Sequence, residues 1–447
     1  MRTDRRAFLA SLGAAGALAA CSGSKLVPNL AGSGENAMSA ADNLFRPHAS
    51  TLLPLQIVNK TGYPDSQIWF YTVGQKTPSA TGPWFHITNA TTGALAQCGK
   101  GDVVNGFADY SLNRASATKN GNMLLPTLNG GARMYFSVKD KLKIPLGAPN
   151  YVPGSPNGWD PKSAGGANYK VLFDWWEFVN VPADPTNGFN PNTTQVDMLG
   201  LPLLITAYGT DVPKGVSGGF NAGARTKIFN ALAANKDFAK LVIAGTGGTA
   251  LRAIAPNHGI TSGILSKTYL DPYINQVWAY FAATGKNKLK AVCSQGTFYA
   301  TVDAMGRLTF TAKGFETFWF VKPSTLAVFE NGMLPYCASN SKLCPAPSKT
   351  QRYLAPNEVQ GAIAPALNRS TLLVSNNELG VATASSGCKL SLAKKYAAPL
   401  TNYYAKYIHA NAYGGLAYAF GNDDNCSDSS FVASRKPTKG VITLQPF

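Results

Sequence analysis

The sequence predicts a mainly β protein with a mixed α/β part, and three observations carry that prediction. Of 447 residues, 44 are glycine and 28 proline, only 14% are charged, and Tyr and Phe are abundant, which is the profile of a loop-rich β protein. Short runs of β-branched and aromatic residues bounded by turn formers recur along the chain. Apolar stripes at helical spacing are confined to two blocks, around residues 220–285 and 355–412.

Taken in order, the first strand is Leu55-Gln-Ile-Val58, followed by a turn at Thr61-Gly-Tyr-Pro64 and a second strand at Gln67–Val73. Ala132–Val138 and Tyr169–Phe173 continue the pattern, then Leu203–Thr206, Leu251–Ile254, Thr297–Val302, Leu308–Phe310 and Thr317–Val321. Leu416–Phe420 and Val441–Leu444 read as the last two strands. Asp271-Pro272 is a good helix start, with Ile274, Val277, Trp278 and Phe281 at i, i+3, i+4 and i+7. Leu400, Tyr403, Tyr404, Tyr407 and Ile408 repeat that spacing. Ile228 and Leu232 mark a helix from Thr226, and Val359, Ile363 and Leu367 mark one that Pro365 weakens. The expectation is a β barrel or sandwich from about 51–210, 290–335 and 413–447, joined to a mixed α/β subdomain from about 211–289 and 336–412. The glycine-rich Gly245-Thr-Gly-Gly-Thr249 lacks the Lys-Ser/Thr of a phosphate-binding loop and reads as a turn.

Residues 1–21 read as a lipoprotein export signal. Arg5-Arg6 followed by Phe8-Leu9 resembles a twin-arginine motif, and residues 7–20 form an apolar stretch too short to span a bilayer as a helix, which takes roughly 20 residues. It ends at Leu18-Ala-Ala-Cys21, which looks like a lipobox and makes Cys21 the expected acylation site and membrane anchor. Residues 22–50, rich in Ser, Gly, Ala and Asn, suit a flexible tether. Without Cys21, six of the seven cysteines remain (Cys98, Cys293, Cys337, Cys344, Cys388, Cys426), an even set allowing up to three disulfides in an exported chain, with Cys337 and Cys344 spaced to close a small loop. The four histidines, His48, His86, His258 and His409, show no metal-ligand spacing, so neither a metal nor another cofactor is expected. The formal charge is +17; the signal region contributes three arginines and one aspartate, hence +2, leaving +15. Its lysines and arginines are dispersed without a nucleic-acid motif, so nucleic acid is not an expected partner. An exported, envelope-anchored or secreted monomer is expected.

The stretch richest in chemistry runs from Phe173 to Asp197. Asp174–Val179 reads as one arm of a hairpin and Thr193–Leu199 as the other, across a turn-rich loop from Pro182 to Pro191. Each arm carries a carboxylate, Glu177 and Asp197. Paired carboxylates beside aromatic rings suit glycoside hydrolysis, in which one protonates the leaving oxygen and the other serves the opposite face of the sugar. Alternation places Trp175, Glu177 and Val179 on one face, and Thr193, Gln195 and Asp197 on one face of the partner arm. Directly opposed, the two Cβ atoms would lie ~5 Å apart; offset by one pair, ~7–8 Å. Trp175 is read either as a stacking surface for a sugar ring or as core. Asn180, Thr193, Thr194 and Gln195 are candidate partners for sugar hydroxyls. Trp175 and Trp176 are expected to exclude water from Glu177 and favour its protonated form, while Asp197 stays ionised among polar neighbours.

Several runs together resemble glycoside hydrolase family 64, the laminaripentaose-producing β-1,3-glucanases related to thaumatin-like proteins. They are Leu55-Gln-Ile-Val-Asn59 with Ile68-Trp-Phe-Tyr71, Ala132-Arg-Met-Tyr-Phe-Ser137, Phe173-Asp-Trp-Trp-Glu-Phe178, Asn192-Thr-Thr-Gln-Val-Asp-Met198 with Gly200-Leu-Pro202, Asp271-Pro-Tyr273, and Tyr413-Gly-Gly-Leu-Ala-Tyr-Ala-Phe-Gly-Asn-Asp-Asp424. The resemblance covers about residues 53–447. It implies a thaumatin-like β-barrel or sandwich domain and a mixed α/β domain forming a crescent around a wide groove. It also implies hydrolysis of internal β-1,3-glucan bonds with inversion, Glu177 matching the general acid and Asp197 the general base. The loop between the arms is longer than the resemblance leads one to expect, which bears on product length. The alternative readings are a thaumatin-like lipoprotein that binds β-1,3-glucan without cutting it, and a structural surface protein.

Overall fold

In the computed structural model the described residues are 51–159, 166–245, 248, 250–282, 287–338, 342–344, 354–374, 378–380, 390–425 and 428–447. The export signal, Cys21, the tether, and Cys388 and Cys426 lie outside them.

The strand Leu52–Asn59 buries Leu53, Leu55 and Ile57 while the residues between them stay more accessible, as a half-buried strand should. It pairs in parallel with the chain's last strand, Pro437–Leu444, and antiparallel with Asn122–Pro126. Leu203–Gly209 and Val216–Gly219 complete a five-stranded sheet. Facing it is a second sheet in which Gly188–Thr193, Leu172–Val181, Leu128–Val138, Ile68–Gln75, Phe85–Asn89 and Ala94–Gln97 lie side by side, with Leu112–Asn113 also paired to Ile68–Gln75. The space between is filled by Ile57, Phe70, Phe136, Trp176, Phe189, Ile205 and Ile442, all fully buried. The two sheets thus pack face to face as a sandwich.

Its second sheet is covered on both faces. Tyr71, Val73, Tyr135, Phe173 and Trp175 alternate with the sandwich-facing residues and form a separate cluster on the outer face with Cys98, Ile144 and Met198. The remaining, largest core lies in the helical part. Helices Ala224–Ala233, Asp271–Ala282, Leu354–Asn368 and Tyr403–Asn411 stand where the apolar stripes place them, and Pro365 sits inside its helix without ending it.

Three expectations are corrected. The strands in 290–335 belong to the helical part: Leu289–Cys293, Gly296–Val302, Leu308–Thr311 and Phe318–Phe320 form a sheet of their own with Tyr336–Cys337, Lys342–Leu343 and Glu378–Gly380. Their inward residues, Phe298, Phe310 and Phe318 among them, pack with the helices. Alternation reveals that a strand has a buried face but not which core covers it. Leu416–Phe420 joins no sheet; its backbone is tied instead to Asp428, Gln195 and Asp423. Cys337 and Cys344 do form a disulfide, but Cys98 and Cys293 are buried free thiols in different cores, so three bridges do not form.

Candidate active site

The Leu172–Val181 strand organises the site, and its two faces have different tasks. Trp176 and Phe178 stack at 4.5 Å inside the sandwich. Asp174 is 1% exposed and accepts hydrogen bonds from the backbone N–H groups of Gly200 (2.7 Å), Leu201 (3.0 Å) and Trp175 (2.8 Å). Burial pushes its carboxyl up to about 7 against the pull of those donors and of Arg252. Arg252 is fully buried, lies over the Phe173 ring and donates to the carbonyls of Gly158 and Val171; burial lowers its pKa to about 10, with Asp174 opposing. The strand is thus bolted at its start.

On the outer face stands Glu177. Its neighbour across the ladder is Arg133, whose Nε donates to Glu177 Oε1 at 3.0 Å. Both side chains are partly exposed, at 28% and 20%. Burial alone would disfavour the Arg133 charge, but Tyr135, Glu177 and Asp197 together hold its pKa above the ordinary arginine value. Tyr135 is shifted up by burial, and it too senses Arg133, Glu177 and Asp197. One arginine and one tyrosine therefore lie in the field of both candidate carboxylates.

Asp197 reaches this place by a route that strand alternation misstates. The hairpin register pairs Trp176 with Thr193 and Glu177 with Asn192, and Thr193 is the last residue of the ladder. The return strand begins earlier than expected, at Gly188, and includes Pro191. It lies at the sheet edge, where a missing N–H costs no ladder bond. The loop shrinks to residues 182–187. Beyond Thr193 the chain leaves the sheet: Gln195 N–H donates to the Tyr418 carbonyl, Tyr404 Oη donates to the Gln195 carbonyl at 2.7 Å, and the Asp197 carbonyl accepts from Ala255 N–H. Asp197 is placed by the helical part, not by the hairpin arm. Its Oδ1 is 2.8 Å from Nε2 of His258, whose ring stacks on Trp159 with centroids 4.7 Å apart.

The other candidates have mostly structural surroundings. Trp175 is 3% exposed and packs against Phe173, Tyr135 and Trp159, so of its two readings the core one matches the geometry. Trp176 lies on the opposite face from Glu177, so the expected pair of water-excluding indoles gives way to Arg133. Asn180, fully buried, spends its amide donors on the carbonyls of Leu125 and Pro126, tying the two sheets together. Thr193 is fully buried and donates to Ser430 Oγ. Neither is placed to meet a sugar. Thr194 and Gln195 are 3% and 2% exposed, and the Gln195 Oε1 has no protein partner among the described residues.

Sequence reasoning passed over Arg133, Tyr135, Trp159 and His258. Arg133 and Tyr135 alternate on one strand face, which was a usable signal. Nothing in the chain links His258 to an aspartate 61 residues away. Among the described residues no group of three or more His, Cys, Asp or Glu is arranged to hold a metal ion.

Comparison with known proteins bears on the whole of this architecture. The chain is 27% identical over 407 residues to glucan endo-1,3-β-glucosidases of Cellulosimicrobium cellulans and of Arthrobacter sp. (strain YCWD3), over 88% of this chain. It spans about 65% of the length of those curated relatives. A crystal structure of a laminaripentaose-producing β-1,3-glucanase in complex with laminaritetraose superposes with a TM-score of 0.68 at 26% identity, covering 89% of this chain and 99% of that one. A β-1,3-glucanase domain from Clostridium beijerinckii shares the fold at 22% identity and a TM-score of 0.65, over 89% of this chain and 98% of that domain. The sequence profile of glycoside hydrolase family 64, described as β-1,3-glucanase, matches residues 51–444. With nearly the whole described region inside that match, this chain belongs to glycoside hydrolase family 64.

Proposed function

We propose that the protein is an inverting endo-β-1,3-glucanase that cuts β-1,3-glucan of the laminarin or curdlan type into short oligosaccharides, laminaripentaose among them, with Glu177 as general acid and Asp197 as general base. The observation that carries this reading is that two partly exposed carboxylates, one from each half of the fold, share the field of Arg133. Family membership and the laminaritetraose complex of a relative support β-1,3-glucan as the substrate class.

In this reading Glu177 keeps Oε1 on Arg133 Nε and carries its proton on Oε2, where it passes to the glycosidic oxygen as the bond breaks. Asp197 takes a proton from a water through Oδ2, and that water attacks the anomeric carbon from the opposite side. The glucan lies in a groove between the sandwich and the helical part of a crescent-shaped molecule. Product length depends on how the 182–187 loop meets the outgoing chain. The protein acts as a monomer, tethered to the cell envelope through an acylated Cys21.

Glu177→Gln and Asp197→Asn each reduce laminarin hydrolysis by at least ~1000-fold with unchanged circular dichroism. Near-wild-type turnover in either variant sinks the assignment. In fresh digests followed by proton NMR the new reducing ends start as α-anomers; β-anomers first would rule out inversion. Glucan binding by the wild type without release of reducing ends would instead make it a glucan-binding protein.

A further inference from the structure

We propose that His258 is the positioning residue of the base: it fixes the carboxylate plane of Asp197 so that Oδ2 faces the attacking water, and Trp159 in turn fixes His258. The inference rests on the reading of Asp197 as the base.

The need for such a residue follows from where Asp197 sits. Residues 194–197 belong to no strand or helix, and the backbone of Asp197 is held through its carbonyl to Ala255 N–H. That bond fixes the main chain but leaves the carboxylate free to turn, because the terminal torsion of an aspartate is broad and roughly two-fold. A base that swings loses the alignment on which proton transfer depends. The one side-chain contact on the carboxylate among the described residues is His258 Nε2 on Oδ1, at 2.8 Å. An ionised carboxylate only accepts, so Nε2 carries the hydrogen in this contact.

His258 is itself well fixed. It lies in the short helix Pro256–Thr261, started by a proline at its first position and entered directly from Ala255, the residue that holds the Asp197 carbonyl. Its ring lies against Trp159 at 29°, and Trp159 packs against Trp175, two residues before Glu177 on the same strand face. Trp159 also borders both the outer-face cluster and the helical core. The stack therefore ties the orientation of the base to the sheet that carries the acid. The His258 side chain is 19% exposed, at the margin of the site rather than inside a core.

The test compares His258→Leu, His258→Asn and His258→Gln on laminarin, with Asp197→Asn in parallel. Leucine has no donor, asparagine is too short to reach Oδ1, and glutamine restores an N–H near Nε2. The expected result is a kcat loss of about 100-fold in the Leu and Asn variants at nearly unchanged KM, with at least ~10-fold of it regained in the Gln variant. Should the Leu variant fail to fold, the Asn and Gln pair carries the same comparison. A kcat within ~3-fold of wild type in His258→Asn, alongside an inactive Asp197→Asn, overturns the role of His258 and leaves the base intact. A raised KM with kcat preserved makes His258 a sugar contact and overturns it as well. An active Asp197→Asn instead removes the reading on which the inference stands.

Discussion

At the scale of single residues, the site is a matter of charge placed beside charge. Glu177 and Asp197 are both partly exposed, and whichever of them is ionised is steadied when something cationic lies in their common field. Arg133 does, with its Nε on Glu177 and a pKa held up by both carboxylates and Tyr135. A lysine keeps the charge but not the planar donor pointing at Oε1. Arg133→Met is therefore expected to lower kcat/KM for laminarin by roughly 100-fold, and Arg133→Lys to recover only part of that. Steady-state kinetics beside a thermal melt checks this, and an Arg133→Met variant as active as wild type refutes it. Glu177 was legible because an acidic residue within an aromatic strand run is conspicuous, and Asp197 through the Asn192-Thr-Thr-Gln-Val-Asp197 run that ends on it. Arg133 and His258 were not. An arginine on a strand reads as solvated until its cross-strand neighbour is known, and an isolated histidine reads as surface.

At the scale of elements, the Leu172–Val181 strand that carries Glu177 is tied to its surroundings through Asp174. Asp174 gathers backbone N–H groups from Gly200 and Leu201, drawing the following segment against the strand. That approach needs a glycine: a Cβ on Gly200 would meet the Phe173 carbonyl oxygen at 2.1 Å. Gly200→Ala should destabilise the fold by about 1–3 kcal/mol and lower activity through displacement of the strand. A urea melt measures the first and laminarin turnover the second; an unchanged midpoint would mean the segment can shift without cost. The hairpin loop is closed by Asp184, whose carboxylate accepts from Thr186 N–H and Asn187 Nδ2. Its ends were misjudged because proline was read as a breaker, although an edge strand tolerates it.

At the scale of the whole molecule, each half holds one of the two proposed catalytic carboxylates, so in that reading the fold of the helical part matters to the chemistry. That part is anchored by a buried charge network. Arg369 bridges Asp423 and Asp428, and His409 Nε2 lies 2.9 Å from Asp423. Burial would raise Asp423, but His409 and Arg369 outweigh it and keep the carboxyl below its usual range. Burial would lower His409, but Asp423 and the Gly415 carbonyl raise it. A raised histidine contributes stability that is complete below its unfolded value, ~6.5, and is lost as pH rises through its folded value. The depressed Asp423 contributes stability present above ~3.9 and lost as pH falls through its folded value. The gap in urea midpoint between wild type and His409→Gln should therefore be widest near pH 6 and narrow as the pH rises from there through the folded value of His409. A gap that does not change with pH would show that folding leaves the His409 pKa where it is in the unfolded chain.

What the sequence determined by itself is everything that depends on local pattern. Runs of β-branched and aromatic residues identified the central sandwich strands but not Phe85–Asn89, Ala94–Gln97, Asn122–Pro126 or Val216–Gly219, 3.6-residue spacing identified the helices, and one aromatic-rich run located Glu177. Asp197 was also identified, but by the company it keeps in Asn192-Thr-Thr-Gln-Val-Asp197 and not by its geometry. Tertiary structure alone decided which core each strand joins, that residues 194–197 leave the sheet, and that Arg133 and His258 meet the two carboxylates. The reason is physical. Periodicity records that a side chain is buried, whereas the partner that buries or charges it is brought from distant residues by packing. Glu177 gets its neighbour from the next strand, and Asp197 gets its neighbour from a helix that follows 61 residues later.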